Sequence, residues 1–428
     1  MHPTGPPDLP PELTARLGER LSPGATVADG CVVRVATPED VVAVLRLAGR
    51  HGVAVREGTA PAGSARALVV DSGALDATTV SPAGWARVGA GVRWGELLDA
   101  AAAQGLVAVT GPSVAGRVVD SVTGAGVGPL ARTYGLASDR VRAVELVTGD
   151  GVLRRATPTE EPELFWGVRG GGAGLGVLTA VELDLLPGAP VGSAVLRWPG
   201  DQAARVLPVW REWATALPPS AGTSLVLARP PAGGATVTVT ATWTSDPEDG
   251  EALLAPVYGA VRPHAGSVLT RILGDLRPAA VGSPSARESS LLLDALPADG
   301  CAAVLGALGA GLPRWVELRL LGGAVRWAPQ VSGAVASRDA ALAVRVIGGP
   351  DAEAVAATRA CAEDLRAALG GAAGGRRAVH GRTADPDVLA RDHGAATRAR
   401  LDALAAATDP HRILAGAVPA QGSETPSR

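Results

Sequence analysis

The first 190 residues alternate between short apolar runs and amphipathic stretches. Each apolar run has the length and β-branched content of a buried strand, and each amphipathic stretch carries helix-start signals. The predicted strands are Val32–Val35, Val53–Val55, Leu68–Asp71 and Ala86–Val92, and the predicted helices begin at Pro38, with Thr37 as N-cap, and at Trp94. This alternation predicts two α/β units.

The hydrophobic pattern changes after a second group of predicted strands. Val141–Val147 and Val152–Ala156 flank a Gly-Asp-Gly turn and predict a hairpin, and Val177–Leu185 predicts a strand that Pro187 ends. Beyond residue 190, Thr236–Trp243 alternates strictly, Val316–Leu320 is strand-like, and helical stretches lie near 210 and at 250–260. The second half therefore predicts an antiparallel sheet covered by helices, and the whole chain an α+β protein.

These changes of pattern predict the domain boundaries. Residues 1–27 form an N-terminal extension, 28–190 a first domain, and 191–384 a second domain. Residues 385–420 form a helical C-terminal segment and 421–428 a tail.

Two glycine-rich runs, 124–128 and 170–176, carry the best indication of function. Glycine lets main chain approach a phosphate or a ring face, and it adopts positive φ at little cost. A nucleotide cofactor lying against bare backbone would explain this density of glycine. Two structural alternatives remain, a tight connection at 124–128 and a turn before a strand at 170–176.

Composition and charge exclude several classes of protein. With 428 residues, 47% of them hydrophobic, the chain can bury large cores, and its net charge of -3 argues against a nucleic-acid partner. The absence of Lys excludes a lysine Schiff base. The three cysteines and six histidines lack metal-site spacing, so we expect no metal. Neither a secretory signal nor a membrane-length apolar window is recognisable, which predicts a cytoplasmic location.

The residues around the first glycine run carry a resemblance to a known family. Gly124-Ala125-Gly126-Val127-Gly128 is followed by Leu130, Arg132, Tyr134-Gly135-Leu136, Asp139 and Val144-Glu145-Leu146-Val147-Thr148, and 163–169 reads ELFWGVR before the second run. This order resembles the flavin-linked oxidases of the vanillyl-alcohol oxidase and para-cresol methylhydroxylase (PCMH) type, most closely the berberine-bridge-enzyme-like branch. The resemblance covers about residues 30 to 415.

The resemblance implies a PCMH-type FAD-binding domain of two α/β subdomains, followed by a substrate domain. It implies that FAD is held largely by main-chain groups in three loops, 56–63, 113–128 and 171–177. The residues expected to bind FAD are Arg56, Gly58, Thr59, Ala60, Ser113, Gly124, Ala125, Gly126, Gly128, Asp139, Gly174, Gly176 and Val177.

Two departures from the family pattern concern the bond between protein and flavin. Ala60 stands where the resemblance places the histidine that carries FAD covalently, and Ser113 stands at the cysteine of bicovalent members. FAD should therefore bind without a covalent link, which makes it a weaker oxidant. Glu57 also brings a negative charge to a loop that should face phosphates, which opposes binding unless Arg56 or Arg66 pairs with it.

The resemblance implies an FAD-dependent oxidoreductase that oxidises a small organic substrate, with dioxygen as the second acceptor. His393, with Asp392 beside it, is the candidate catalytic base, although a solvated helix residue is the alternative interpretation. Glu317 and Arg319 could face the flavin or lie on a solvated strand face. The alternative function is a degenerate member that serves as a binding or assembly protein without redox activity.

Overall fold

The computed structural model describes residues 16–28, 31–58, 67–172, 174–229, 234–272, 287–309, 315–349, 351–369 and 393–414. The first sheet has four strands in the order β1-β2-β4-β3. These are β1 (Thr26–Ala28), β2 (Val32–Arg34), β3 (Ala54–Glu57) and β4 (Ala67–Asp71). Strands β2 and β3 both run parallel to β4, and helix α1 (Pro38–His51) connects β2 to β3.

Local sequence signals fix both ends of α1. The Thr37 hydroxyl accepts from the Asp40 amide, and the Asp40 carboxylate accepts from the Thr37 amide, which completes a capping box. Gly52 ends the helix in the left-handed region, at φ 60°. The predicted N-cap is confirmed.

A second sheet of five antiparallel strands packs into the same hydrophobic core as the first. Its order is β5 (Thr78–Ser81), β6 (Trp85–Gly89), β10 (Val177–Asp184), β8 (Val141–Val147) and β9 (Leu153–Ala156). The helices around it are α2 (Trp94–Ala102), α3 (Val118–Thr123), α4 (Ala131–Tyr134) and α5 (Pro162–Val168), and β7 (Leu106–Val107) pairs with β11 (Leu186–Pro187).

The third large sheet is antiparallel, with seven strands in the order β15-β12-β14-β13-β17-β18-β16. Its strands are β12 (Pro190–Pro199), β13 (Ala221–Ala228), β14 (Thr236–Trp243), β15 (Ala265–Ile272), β16 (Arg287–Leu293), β17 (Trp315–Leu320) and β18 (Leu342–Gly348). Helices α6 (Ala203–Ala216), α7 (Gly250–Ala260), α8 (Gly300–Gly309) and α9 (Ala352–Leu369) form the layer against one face. The predicted α+β class is confirmed, and so is the antiparallel sheet predicted beyond residue 190.

The opposite face of the seven-stranded sheet lies against the first part of the chain. A small apolar cluster joins Ala125, Val127 and Leu136 to Leu321 and Ala343. The buried Arg132 guanidinium adds polar contacts to this cluster. It donates to the main-chain carbonyls of Leu217 and Pro218, which follow α6, and to those of Ala221 and Leu321, which lie in and next to the seven-stranded sheet. The segment that carries the first glycine run is thereby fixed between the two parts.

The C-terminal residues return to the first sheet. Helix α10 (Gly394–Thr408) packs against α5, and the Val55 amide then donates to the Ile413 carbonyl at 2.6 Å. Leu414 forms a parallel bridge with Val55. The predicted domain boundaries stay a prediction, although β12 begins at Pro190, where the first boundary was placed.

Candidate functional site

A cleft of about 320 Å³, counting its open mouth, lies where parts of all three predicted cofactor loops meet. Its lining comprises Glu57, Val119, Asp120, Thr123, Val168, Gly172, Leu175, Gly176 and Leu178. This figure includes space open to solvent, and the enclosed part is far smaller than the roughly 300–1,000 Å³ of ligand pockets. Residues 59–66 lie outside the described residues.

The first loop enters the cleft from β3. Glu57 is the last residue of that strand, and the next amide, at Gly58, donates to the Val70 carbonyl of β4. Arg56 is exposed and stands opposite Val69 in the parallel register. The predicted cofactor residues Thr59 and Ala60 lie outside the described residues.

The second loop reaches the cleft through α3, which presents Val119, Asp120 and Thr123. Arg117, the residue before this helix, donates from Nε to an Asp120 carboxylate oxygen at 3.2 Å and from a terminal nitrogen to Ser72 Oγ at 3.0 Å. Burial raises the pKa of Asp120, and the charges of Arg117 and Arg93 offset only part of that rise. Asp120 was not predicted from the sequence. The one sequence feature that points to it is the spacing of three residues between Arg117 and Asp120.

Ser113 lies at the start of this loop, outside the cleft lining, and its hydroxyl accepts from the Ala115 amide. The glycine run beyond α3 turns sharply, with Ala125 at φ 72° and Gly126 at φ 76°. A Cβ at Gly128 would lie 2.1 Å from the Thr110 carbonyl oxygen. Glycine is thus required at 128 by close packing of protein main chain. The expectation that Gly124–Gly128 faces the cofactor stays a prediction.

The third loop is tied to α3 by main-chain hydrogen bonds. The Gly170 amide donates to Val122 and the Gly172 amide to Thr123. Gly172 and Gly174 have positive φ, and Gly176, which lines the cleft, leads directly into β10 at the buried Val177. The two glycine runs, far apart in sequence, are therefore joined across the end of α3.

Asp139 lies away from the cleft lining, at the boundary with the seven-stranded sheet. Its carboxylate pairs with Arg338 and accepts from the Leu136 amide at 3.0 Å. Arg338 belongs to the segment that follows β17, so the ion pair links the two parts of the chain. Its predicted role in cofactor binding remains untested.

His393 is 5% exposed at the N-terminus of α10, and neither ring nitrogen meets hydrogen-bond geometry with a partner. Burial lowers the pKa of His393, the Ala334 backbone raises it in part, and the Arg398 charge lowers it. The imidazole is therefore neutral at pH 7, the form a base requires. Both nitrogens are inaccessible to solvent. Asp392 lies outside the described residues.

Glu317 and Arg319 belong to a network of charged side chains on the sheet face toward the glycine run. Arg319 binds Glu317 through two nitrogens and donates to the Val127 carbonyl at 3.0 Å. Arg345 joins Glu317 to Glu288. Burial alone would raise the pKa of Glu317, but the two arginines lower it to about 2. Glu317 is thus a permanent anion, unsuited to accept a proton at pH 7.

Known proteins resemble this chain in sequence and in fold. Residues 30–157 match the family model described as an FAD binding domain. This part of the chain is therefore similar to an FAD-binding domain. The (R)-6-hydroxynicotine oxidase of Paenarthrobacter nicotinovorans is 38% identical over 161 residues, 36% of this chain and 35% of that protein. The chain thus spans about a third of the length of this curated relative.

The similarity in fold extends over nearly the whole chain. A chitooligosaccharide oxidase structure has a TM-score of 0.76 at 17% identity and covers 95% of this chain and 98% of its own. A berberine bridge enzyme structure in complex with (S)-reticuline has a TM-score of 0.76 at 15% identity, with 95% and 98% covered. These confirm the predicted fold, and the FAD-binding domain confirms the predicted cofactor.

The cleft's own residues can be tested against FAD. Bare main chain at Gly172 and Gly176, with the apolar walls of Val168 and Leu175, suits a flat and largely apolar ring system. Glu57 and Asp120 also line the cleft, and Asp120 is paired with Arg117 at 3.2 Å. The main chain and the apolar walls of the cleft therefore fit the ring system.

Across the residues described, no cluster of His, Cys, Asp or Glu has the arrangement of a metal site. None of the helices in these ranges combines the length and apolar character that crossing a bilayer demands.

Proposed function

We propose that this protein is an FAD-dependent oxidoreductase, oxidase-like in reaction type, that acts on a small organic substrate. One observation carries the proposal. Parts of the three loops that the sequence assigns to FAD meet at a single cleft, and two of these loops lie within or beside the range matched by the FAD-binding family model. Dioxygen is the proposed second acceptor and the cytoplasm the proposed location.

FAD, when bound, would supply a two-electron acceptor for the substrate's hydride. The main chain at Gly172 and Gly176 would hold it, and Val168 and Leu175 would keep water from its surface. Arg319 keeps the 124–128 segment in place through the Val127 carbonyl. His393 remains the candidate base, with Asp392 beside it in sequence.

The flavin in this proposal is held without a covalent bond. Ala60 and Ser113 offer no nucleophile of the required kind at the two positions where the family pattern links the ring. Without a covalent link, the flavin's potential should be lower and its exchange with solution faster.

A visible spectrum of the purified protein tests the proposal. We expect flavin absorbance at about 450 nm, and we expect acid precipitation to release the yellow flavin into the supernatant. A covalent flavin would stay in the pellet and refute the untethered cofactor. Protein that remains colourless and takes up no added FAD would refute the proposal.

The acidic lining of the cleft favours a second candidate function. A scaffold that has lost redox activity and serves as a binding or assembly protein would tolerate carboxylates in the cleft. In an enzyme that binds FAD tightly, the same carboxylates would lower the affinity for FAD. Full reduction of bound flavin by an organic substrate would exclude the scaffold. Stable folding with no flavin uptake at any FAD concentration would favour it.

A further inference from the structure

Strand β15 forms one end of the seven-stranded sheet, and no strand of the described residues lies beside its outer edge. Its residues pair with β12 in one unbroken register from Ala265 to Ile272. Alternate residues of a strand direct their main-chain N–H and C=O groups to opposite sides. About half of the main-chain groups of β15 therefore point away from β12, along a regular edge.

The sequence of β15 does little to block the addition of another strand. Natural sheets protect exposed edges with prolines, charged residues, bulges or very short strands. The sequence AGSVLTRI contains no proline, lysine or acidic residue, and its one charged residue, Arg271, is next to the end of the strand. The pairing with β12 contains no bulge. The edge is therefore open to pairing.

Exposed apolar side chains concentrate near this edge. Among the described residues, seven large hydrophobic side chains are exposed, and three of them, Tyr258, Val268 and Leu269, lie between 258 and 269. Val268 is 46% exposed and Leu269 is 42% exposed. Consecutive residues of a strand point to opposite faces, so both faces of the edge present apolar surface.

Helix α7 extends the apolar surface on one of these faces. The helix layer follows the order of the strands, because α9 contacts β16 and β18, α8 contacts β17, and α6 contacts β13 and β14. The remaining helix, α7, packs against α6 and therefore lies at the β15 end with Tyr258. Val268 stands opposite Ala194, which belongs to the core beneath the helices, so Val268 lies on the same face as α7.

We propose that β15 pairs antiparallel with β15 of a second copy of this chain, so that the sheet continues across a two-fold axis. Residues directly opposite each other in an antiparallel pair have side chains on the same face, so the axis passes through a residue that pairs with itself. The register centred on Val268 sets that residue opposite its own copy and Ser267 opposite Leu269. The two exposed residues Val268 and Leu269 are then buried at the centre of the interface.

The charges near the edge are compatible with a second copy as the partner. Residues 263–270 include no Arg, Lys, Asp or Glu, and the proposed register sets Arg271 opposite Ala265, so no like charges meet. Stable interfaces bury roughly 800 Å² on each partner. β15 has eight residues, so the interface needs the outer side of α7 as well. We expect a dimer that dissociates at micromolar concentrations.

The test is the oligomeric state of the full chain, measured by sedimentation velocity from about 1 to about 100 µM. Wild type should change from monomer to dimer over this range. Val268→Lys and Val268→Glu each bring two like charges face to face across the axis, which should raise the dissociation constant at least about tenfold. An equimolar mixture of the two variants should associate like wild type, because opposite charges then face each other.

Val152→Lys is the matched control. Val152 is 39% exposed, similar to Val268, but it lies between β8 and β9 in another sheet. This substitution should leave self-association unchanged.

Hydrogen exchange of the wild type supplies a measurement that needs no variant. The outward amides of β15 should become more protected as the protein concentration rises, because they gain partners in the second copy. The amides of β13, which has a strand on each side, should show no dependence on concentration.

Several results would overturn the inference. A wild type that stays monomeric at about 100 µM, a dimer that persists in Val268→Lys, or charge variants that fail to associate when mixed would each contradict it. Protection of the β15 amides that is independent of concentration would also contradict it, because the edge would then be covered within one chain. The pairing involves no flavin, so these outcomes do not depend on FAD binding.

Discussion

Replacing Glu317 by Gln should destabilise the protein by several kcal/mol at neutral pH. Glu317 is 1% exposed and accepts from Arg319 at 2.6 Å and from Arg345. The pKa of this carboxyl falls from 4.5 to about 2 in the folded protein. At about 1.4 kcal/mol for each pH unit, this difference corresponds to about 3 kcal/mol, which a neutral side chain would lose. Full burial of the group leaves little room for solvent screening.

The effect has a defined pH dependence. A carboxyl with a lowered folded pKa contributes stability that is complete above the unfolded pKa near 4.5 and is lost as pH falls toward about 2. The penalty of Glu317→Gln should therefore be about 3 kcal/mol at pH 7 and smaller by about 1 kcal/mol at pH 4.

Urea unfolding followed by tryptophan fluorescence is a suitable assay, because Trp198, Trp210, Trp213 and Trp243 all lie in the core of the seven-stranded sheet. Glu145→Gln is the control. Glu145 pairs with Arg87 at 2.6 Å but is 22% exposed, so its loss should cost at most about 1 kcal/mol. A penalty for Glu317→Gln below about 1 kcal/mol, or one that grows on acidification, would refute the reasoning.

Three further substitutions have expected outcomes. Gly128→Ala should cost about 3 kcal/mol in urea unfolding, because its Cβ would lie 2.1 Å from the Thr110 carbonyl oxygen; Gly259→Ala, in a helix with open space around it, should be neutral or stabilising. Arg132→Met should lower the melting temperature by leaving buried carbonyls without donors, at a cost of about 3 kcal/mol, and no change would contradict that role. His393→Phe should lower the free energy of unfolding by less than about 1 kcal/mol at pH 7.5. The wild type should lose stability as the pH falls below about 6.5, because burial lowers the pKa of His393 and makes its protonation unfavourable, and the variant should lose less. An unchanged pH profile of the melting temperature would contradict this.

The elements that sequence reasoning found are those with a strong local signal. Thr236–Trp243 alternates strictly and forms β14 with these bounds, and Val141–Val147 forms β8. Strands such as β13 and β18 went unpredicted. Ala221–Ala228 begins with small residues, and Leu342–Gly348 is buried on both faces, so neither alternates.

The site was harder to predict than the fold. The glycine runs marked its loops, and Glu57 was recognised as a charge that opposes phosphate. Asp120 was missed, because α3 has six residues and too short a pattern to reveal which side chains share a face. Pairings between distant segments, such as Arg319 with the Val127 carbonyl, depend on tertiary packing and leave no trace in local sequence.

The hydrogen bond between Val55 and Ile413 bears on how this protein is made. The strand that carries Glu57 gains its outer neighbour from residues near 413, so the N-terminal sheet stays unfinished until these residues have left the ribosome. Flavin that arrives earlier during translation would therefore meet an incomplete binding site.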